Sequence, residues 1–116
     1  MAEHYKIERI ELSEKPNEEP VREMIYWGKI MGALNMLPFV ISKGWAGNMG
    51  FRENNKMWVT PTGGMIDNLR KEDLIGIREI KGIRQYWGKA DKKPTSEWEI
   101  YYGLFEKRPE INAIIH

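Results

Sequence analysis

A chain of 116 residues, 41% of them hydrophobic, can build one core and one domain, and is too short for two. Its 18 Lys and Arg against 17 Asp and Glu leave a formal net charge of +1, which argues against the electrostatic footprint of a nucleic-acid or membrane-surface binder. With no cysteine there are no disulfides, thiolate nucleophiles or thiolate metal ligands, so any chemistry falls to imidazole, carboxylate and hydroxyl groups, and a cytoplasmic setting fits best.

The first residues, Met1 to Lys6, lack a basic region followed by an apolar core, and no apolar run approaches the ~20 residues of a membrane span. From Tyr5 to Glu19, Ile7, Ile10 and Leu12 are mixed with charges, and Lys15 to Pro20 has the composition of a turn and helix start. Residues 1–20 are therefore expected to be an N-terminal extension and residues 21–116 the domain. From Val21 the apolar or small positions Val21, Met24, Ile25, Gly28, Met31, Gly32 and Asn35 recur near helical spacing, which predicts an amphipathic helix. Gly28 and Gly32, four apart, suit a close approach of another segment. Pro38 should interrupt the helix, which then kinks or restarts over Phe39 to Lys43 with Gly44 as its C-terminal cap.

Met49 to Arg52 and Met57 to Thr60 flank Glu53-Asn54-Asn55-Lys56, a hairpin composition. Thr60 to Gly64 is a loop, Leu69 to Leu74 about one helical turn, and Ile75 to Trp87 one or two further strands. Ser96, with Glu99 three residues on, is expected to cap a helix from about Glu97 to Lys107. Arg108-Pro109 ends it, and Ala113-Ile114-Ile115 reads as an apolar strand carrying His116. Helix, hairpin, strands, helix and strand make a mixed α/β layer arrangement.

Four segments carry polar groups suited to chemistry. Gly44-Trp45-Ala46-Gly47-Asn48 offers bare backbone N–H groups and an amide, for a phosphate cradle or a tight corner. Thr60-Pro61-Thr62-Gly63-Gly64 offers two hydroxyls and more bare backbone, or is an ordinary Pro-Gly turn. Pro94-Thr95-Ser96-Glu97 opens a helix, where free N–H groups and the helix dipole favour an anion and equally favour the Glu97 carboxylate as a solvated side chain. The fourth is His116. Trp45, Trp58, Trp87 and Trp98 are read as packing residues, His4 as a surface residue, and the clusters around Lys71 and Lys92 as solvated loops.

In this order and spacing the segments resemble the class II aldolase family that includes L-fuculose-1-phosphate and L-rhamnulose-1-phosphate aldolases and the adducin head domain. Gly47-Asn48-Met49-Gly50-Phe51-Arg52 is similar to that family's Gly-Asn-x-Ser-x-Arg, and Thr60-Pro61-Thr62-Gly63 to its Thr-Pro-[Ser/Thr]-Gly. Pro94-Thr95-Ser96-Glu97-Trp98 resembles Pro-Ser-Ser-Glu-Trp, and Arg108 to His116 resembles Arg-Pro-x-x-x-Ala-[Val/Ile]-[Val/Ile]-His. The resemblance covers roughly Val21 to His116. It implies a three-layer αβα fold with a mixed, largely antiparallel central sheet, of which this chain holds about half.

The resemblance also implies roles. Gly47, Asn48, Thr62, Gly63, Thr95 and Ser96 would bind a substrate phosphate, Glu97 would be the acid/base, and His116 one ligand of a zinc ion. The implied reaction is reversible cleavage of a ketose 1-phosphate to dihydroxyacetone phosphate and an aldehyde, with zinc stabilising the enediolate while the carboxylate moves protons. The implied assembly is a homo-oligomer, a tetramer in the family. Two departures stand out. The second and third histidines of the family's zinc site have no counterpart here, leaving the metal site incomplete, and Gly50 stands where the family usually has Ser. Other readings are therefore a non-catalytic assembly module like the adducin head, a truncated remnant, or an epimerase or dehydratase of the same fold; the Glu-Trp pair favours aldolase.

Overall fold

Along Met57-Trp58-Val59 the side chains alternate between two apolar clusters, and that alternation sets the architecture: a sheet with a core on each face. The computed structural model describes residues 6–37, 39–40, 44–45 and 47–116. His4, Pro38, positions 41–43 and Ala46 lie outside the described residues.

The elements in chain order are β1 (Ile7–Arg9), α1 (Glu18–Ala33), β2 (Phe39–Val40), β3 (Gly44–Trp45), β4 (Met49–Glu53), β5 (Lys56–Val59), β6 (Ile75–Ile80), β7 (Ile83–Trp87), α2 (Trp98–Lys107) and β8 (Ala113–Ile115). Short 3-10 turns at Ile66–Asn68 and Lys71–Asp73 link β5 to β6. Six strands form one sheet in the order β1-β7-β6-β5-β4-β8. Only the β1–β7 pair is parallel; the other pairs are antiparallel. One face packs Met49, Phe51, Trp58 and Trp87 against Val21, Met24 and Met31 of α1. The other packs Met57, Val59, Ile75 and Ile77 against Trp98, Tyr101 and Phe105 of α2. The result is the expected αβα layering with a mixed, largely antiparallel sheet. Trp58 and Trp87 meet edge to face at 5.4 Å between ring centroids, and both are buried, as is Trp98, in keeping with a packing role. No helix among the described residues is long and apolar enough to cross a membrane.

Both hairpins form. Asn54, at φ 57°, turns the chain from β4 into β5, and Lys81-Gly82, at φ 51° and 79°, turns β6 into β7. The two helix glycines are close-approach points: a Cβ on Gly28 would lie 2.2 Å from the Ile66 carbonyl oxygen, and one on Gly32 2.6 Å from Asp67 Cβ.

Three expectations need correction. The first helix stops at Ala33, well before Pro38, because Asn35 adopts φ 57° and closes a Schellman-type cap: its N–H donates to Gly32 O (3.1 Å) and that of Met36 to Met31 O (2.9 Å). Phe39–Val40 does not restart a helix but pairs antiparallel with Gly44–Trp45, so Gly44 is a strand residue rather than a cap. Ser96 is not the N-cap of α2, which begins at Trp98 with Glu97 in the cap position; Thr95 opens that turn instead, its carbonyl accepting from Trp98 N (3.1 Å) and its hydroxyl oxygen from Glu97 N (3.4 Å). Apart from these corrections, Ile7–Arg9, within residues 1–20, supplies an edge strand of the main sheet.

Candidate functional site

Asn48, Thr60 and Thr95 are the buried polar residues identified among those described, and each lies in one of the segments singled out above. Buried polar groups require partners, and the partners here tie the segments together. Thr60 is the hub. Its N–H donates to Met49 O (3.0 Å), its hydroxyl oxygen accepts from Met49 N (3.1 Å), and its carbonyl accepts from Thr95 N (2.9 Å). Around it Pro61 and Pro94 form an antiparallel bridge, Thr62 N donates to Lys93 O (2.9 Å), and the Thr62 hydroxyl donates to Pro94 O (2.8 Å). The Thr60–Gly64 and Pro94–Glu97 loops are thereby one unit. Gly63, at φ 70°, closes its turn with Gly64 N donating to Pro61 O (3.2 Å).

The other two segments meet at the β4–β8 end. Asn48 N donates to His116 O and His116 N to Asn48 O, both at 2.9 Å, and Asn48 Nδ2 lies 3.5 Å from His116 Nδ1. Gly47 stands beside this pair at φ 112°, a conformation that favours glycine; a Cβ there would also lie 2.8 Å from Leu37 Cδ2. Glu97 joins through α2. Its carbonyl accepts from Tyr101 N (3.2 Å), and its negative charge, after burial as the main cause, pushes the Tyr101 phenol up. The Tyr101 hydroxyl in turn donates to Asn48 Oδ1.

Of the residues named from sequence, Gly47, Asn48 and His116 are in direct contact, and Thr62, Gly63 and Thr95 share the laced loops. Ser96 is exposed at the α2 entrance and Glu97 is half-buried beside it. No hydrogen bond is seen directly between Asn48 and the Thr62 or Ser96 side chains; they are joined through Met49, Thr60 and Thr95. Two residues were missed in sequence. In sequence Thr60 reads only as a loop hydroxyl and Tyr101 as an apolar-face residue, although its place four residues after Glu97 puts it on the same helix face. Among the described residues no group of three His, Cys, Asp or Glu side chains could hold a metal ion. One imidazole at His116 is too little for a zinc site, so these residues do not fit the metal on their own.

The sequence profile of the class II aldolase and adducin N-terminal domain matches residues 22–116. The chain is 30% identical over 89 residues to a 5-methylthioribulose-1-phosphate/5-deoxyribulose-1-phosphate aldolase of Rhodospirillum rubrum, covering 77% of this chain and 38% of that protein. It is 34% identical over 92 residues to an L-fuculose phosphate aldolase of Methanocaldococcus jannaschii, covering 76% and 44%. It thus spans less than half the length of these relatives. Among solved structures, an L-fuculose 1-phosphate aldolase superposes with a TM-score of 0.65 at 24% identity, over 90% of this chain and 46% of that one, which supports the same fold. With the profile match running from the first helix to the last residue, through all four segments that the hydrogen bonds gather, the chain belongs to the class II aldolase and adducin N-terminal domain family.

Proposed function

We propose that this chain carries the phosphate-binding and acid/base part of a class II sugar-phosphate aldolase site. In this reading Asn48, Thr62, Gly63, Thr95 and Ser96, with Gly47 lining the pocket, hold the phosphate of a ketose 1-phosphate or of dihydroxyacetone phosphate. Glu97 moves the proton as the carbon–carbon bond β to the carbonyl breaks or forms. The observation that carries the reading is the hydrogen-bonded lacing of four separate segments through buried Asn48, Thr60 and Thr95, which brings the amide, hydroxyl and carboxylate groups of those segments together. The family is generally zinc-dependent, and zinc when bound polarises the substrate's oxygens. His116 is one donor toward it, and the remaining donors must come from outside the described residues. Several subunits of a homo-oligomer, operating in the cytoplasm, complete the picture.

Titration of the full chain with inorganic phosphate tests the proposal. Saturable binding is expected, weakened about tenfold or more in Asn48→Ala and in Ser96→Ala, the scale of one charge-assisted hydrogen bond. No binding, or binding indifferent to both substitutions, reduces these loops to turns.

A second reading, a non-catalytic assembly module, is favoured by the exposed apolar side chains Tyr26, Trp27, Leu34 and Met36 on and just after α1. It expects self-association by sedimentation without phosphate binding.

A further inference from the structure

We propose that Tyr101 is the positioning residue of the site: its hydroxyl holds Asn48 Oδ1, so that Asn48 Nδ2 is presented as a fixed hydrogen-bond donor to a phosphate group. The inference rests on the phosphate reading given above and deepens it.

A primary amide has an acceptor end and a donor end, and only the donor end serves an anion. An amide free to turn over spends part of its time offering a carbonyl oxygen to the phosphate, which repels it. In this protein the acceptor end is engaged by Tyr101, and the donor end meets His116 Nδ1 at 3.5 Å, a long contact that a phosphate oxygen, as a stronger acceptor, would displace. The phenol is itself fixed. It is 1% exposed, its ring lies in the buried cluster that includes Met57, Val59 and Trp98, and its backbone is anchored on Glu97. Burial and the Glu97 charge both favour the neutral phenol, so the hydroxyl keeps the proton that it donates.

Gly50 makes this arrangement possible. On β4 it faces α2, opposite to the side taken by Met49 and Phe51, and a Cβ there would lie 2.7 Å from Tyr101 Cδ2 and 2.9 Å from Cε2. A glycine at this position leaves the space that the Tyr101 ring fills, with its hydroxyl on Asn48.

The test is inorganic phosphate titration of the full chain, at a pH where the dianion dominates, on wild type, Tyr101→Phe, Asn48→Ala and the double variant. The 15N–1H signals of the Asn48 side-chain amide are followed in wild type and Tyr101→Phe. Tyr101→Phe is expected to weaken phosphate binding about three- to tenfold, the range of one net hydrogen bond, with no further loss when added to Asn48→Ala. Its two Asn48 amide proton signals should move towards each other and exchange faster with solvent, which a merely structural role would not cause. If Asn48→Ala loses phosphate while Tyr101→Phe binds like wild type, the positioning role is overturned and the phosphate reading stands. If wild type binds no phosphate, or Asn48→Ala is indifferent, the phosphate reading fails and takes this inference with it. Should Tyr101→Phe not fold, wild type labelled at tyrosine Cζ decides: the Tyr101 signal must follow the same saturation curve as the Asn48 amide, and a Tyr101 signal that stays still while the amide moves rejects the coupling.

Discussion

Thr60 shows how much one buried hydroxyl can hold. Its oxygen accepts from the Met49 amide at 3.1 Å in a position with no solvent exposure, and valine has nearly the same shape without the acceptor. Thr60→Val should therefore leave the Met49 N–H buried and unpaired, at a cost of about 1–3 kcal/mol. Urea denaturation checks this, and a variant as stable as wild type would mean that the hydroxyl is not the hub inferred here. Asn48, Thr95 and Glu97 were recognisable in the sequence because their segments keep family patterns and because glycine, hydroxyl and carboxylate types announce themselves. Thr60 and Tyr101 were not. A threonine before Pro61 reads as a turn residue, and a tyrosine in an amphipathic helix reads as core. Their roles come from long-range partners, Met49 and Asn48, which one-dimensional spacing does not reveal.

At the scale of elements, local patterns located the first hairpin, the strand region from Ile75 to Trp87 and both long helices, because turn residues and apolar periodicity act over a few positions. Where two local signals competed, the reading failed. Pro38 looked like the stop of the first helix, yet Asn35 in a left-handed conformation ends it sooner by satisfying the last carbonyls. Ser96 looked like a cap, yet Thr95 opens the turn. The helical glycines give a sharper test, since Gly28 and Gly103 have the same propensity cost and opposite surroundings. A Cβ at Gly103 meets nothing within 4 Å, so Gly103→Ala should stabilise by about 0.5–1 kcal/mol. A Cβ at Gly28 meets the backbone oxygen of Ile66 at 2.2 Å, and moving that turn should turn the gain into a loss of about 1–3 kcal/mol. Paired thermal melts decide, and stabilisation by both substitutions would show that the contact between α1 and the 3-10 turn yields easily.

For the whole molecule, the family match begins at residue 22, yet the sheet does not end there. Ile7, Glu8 and Arg9 pair in register with Arg84, Gln85 and Tyr86 of β7, and Ile10 N donates to Tyr86 O at 2.9 Å. Farther along, the Trp87 indole N–H donates to Glu14 O at 3.1 Å, and Asn17 N to Glu53 Oε2 at 3.0 Å. The segment before the domain is therefore stitched to β7, to a buried tryptophan and to the first hairpin. Removing residues 1–14 should uncover the β7 edge, strip Ile7 and Ile10 from the core margins, and leave the Trp87 N–H without its acceptor. The last loss alone is worth about 1–3 kcal/mol. A fold with a net stability of about 5–15 kcal/mol has little room for such losses together, so the shortened chain should show a markedly lower urea midpoint and self-associate through the bared edge. Equilibrium unfolding and sedimentation measure the two effects separately. A midpoint unchanged by the deletion would mean that β1 rests on the sheet without supporting it.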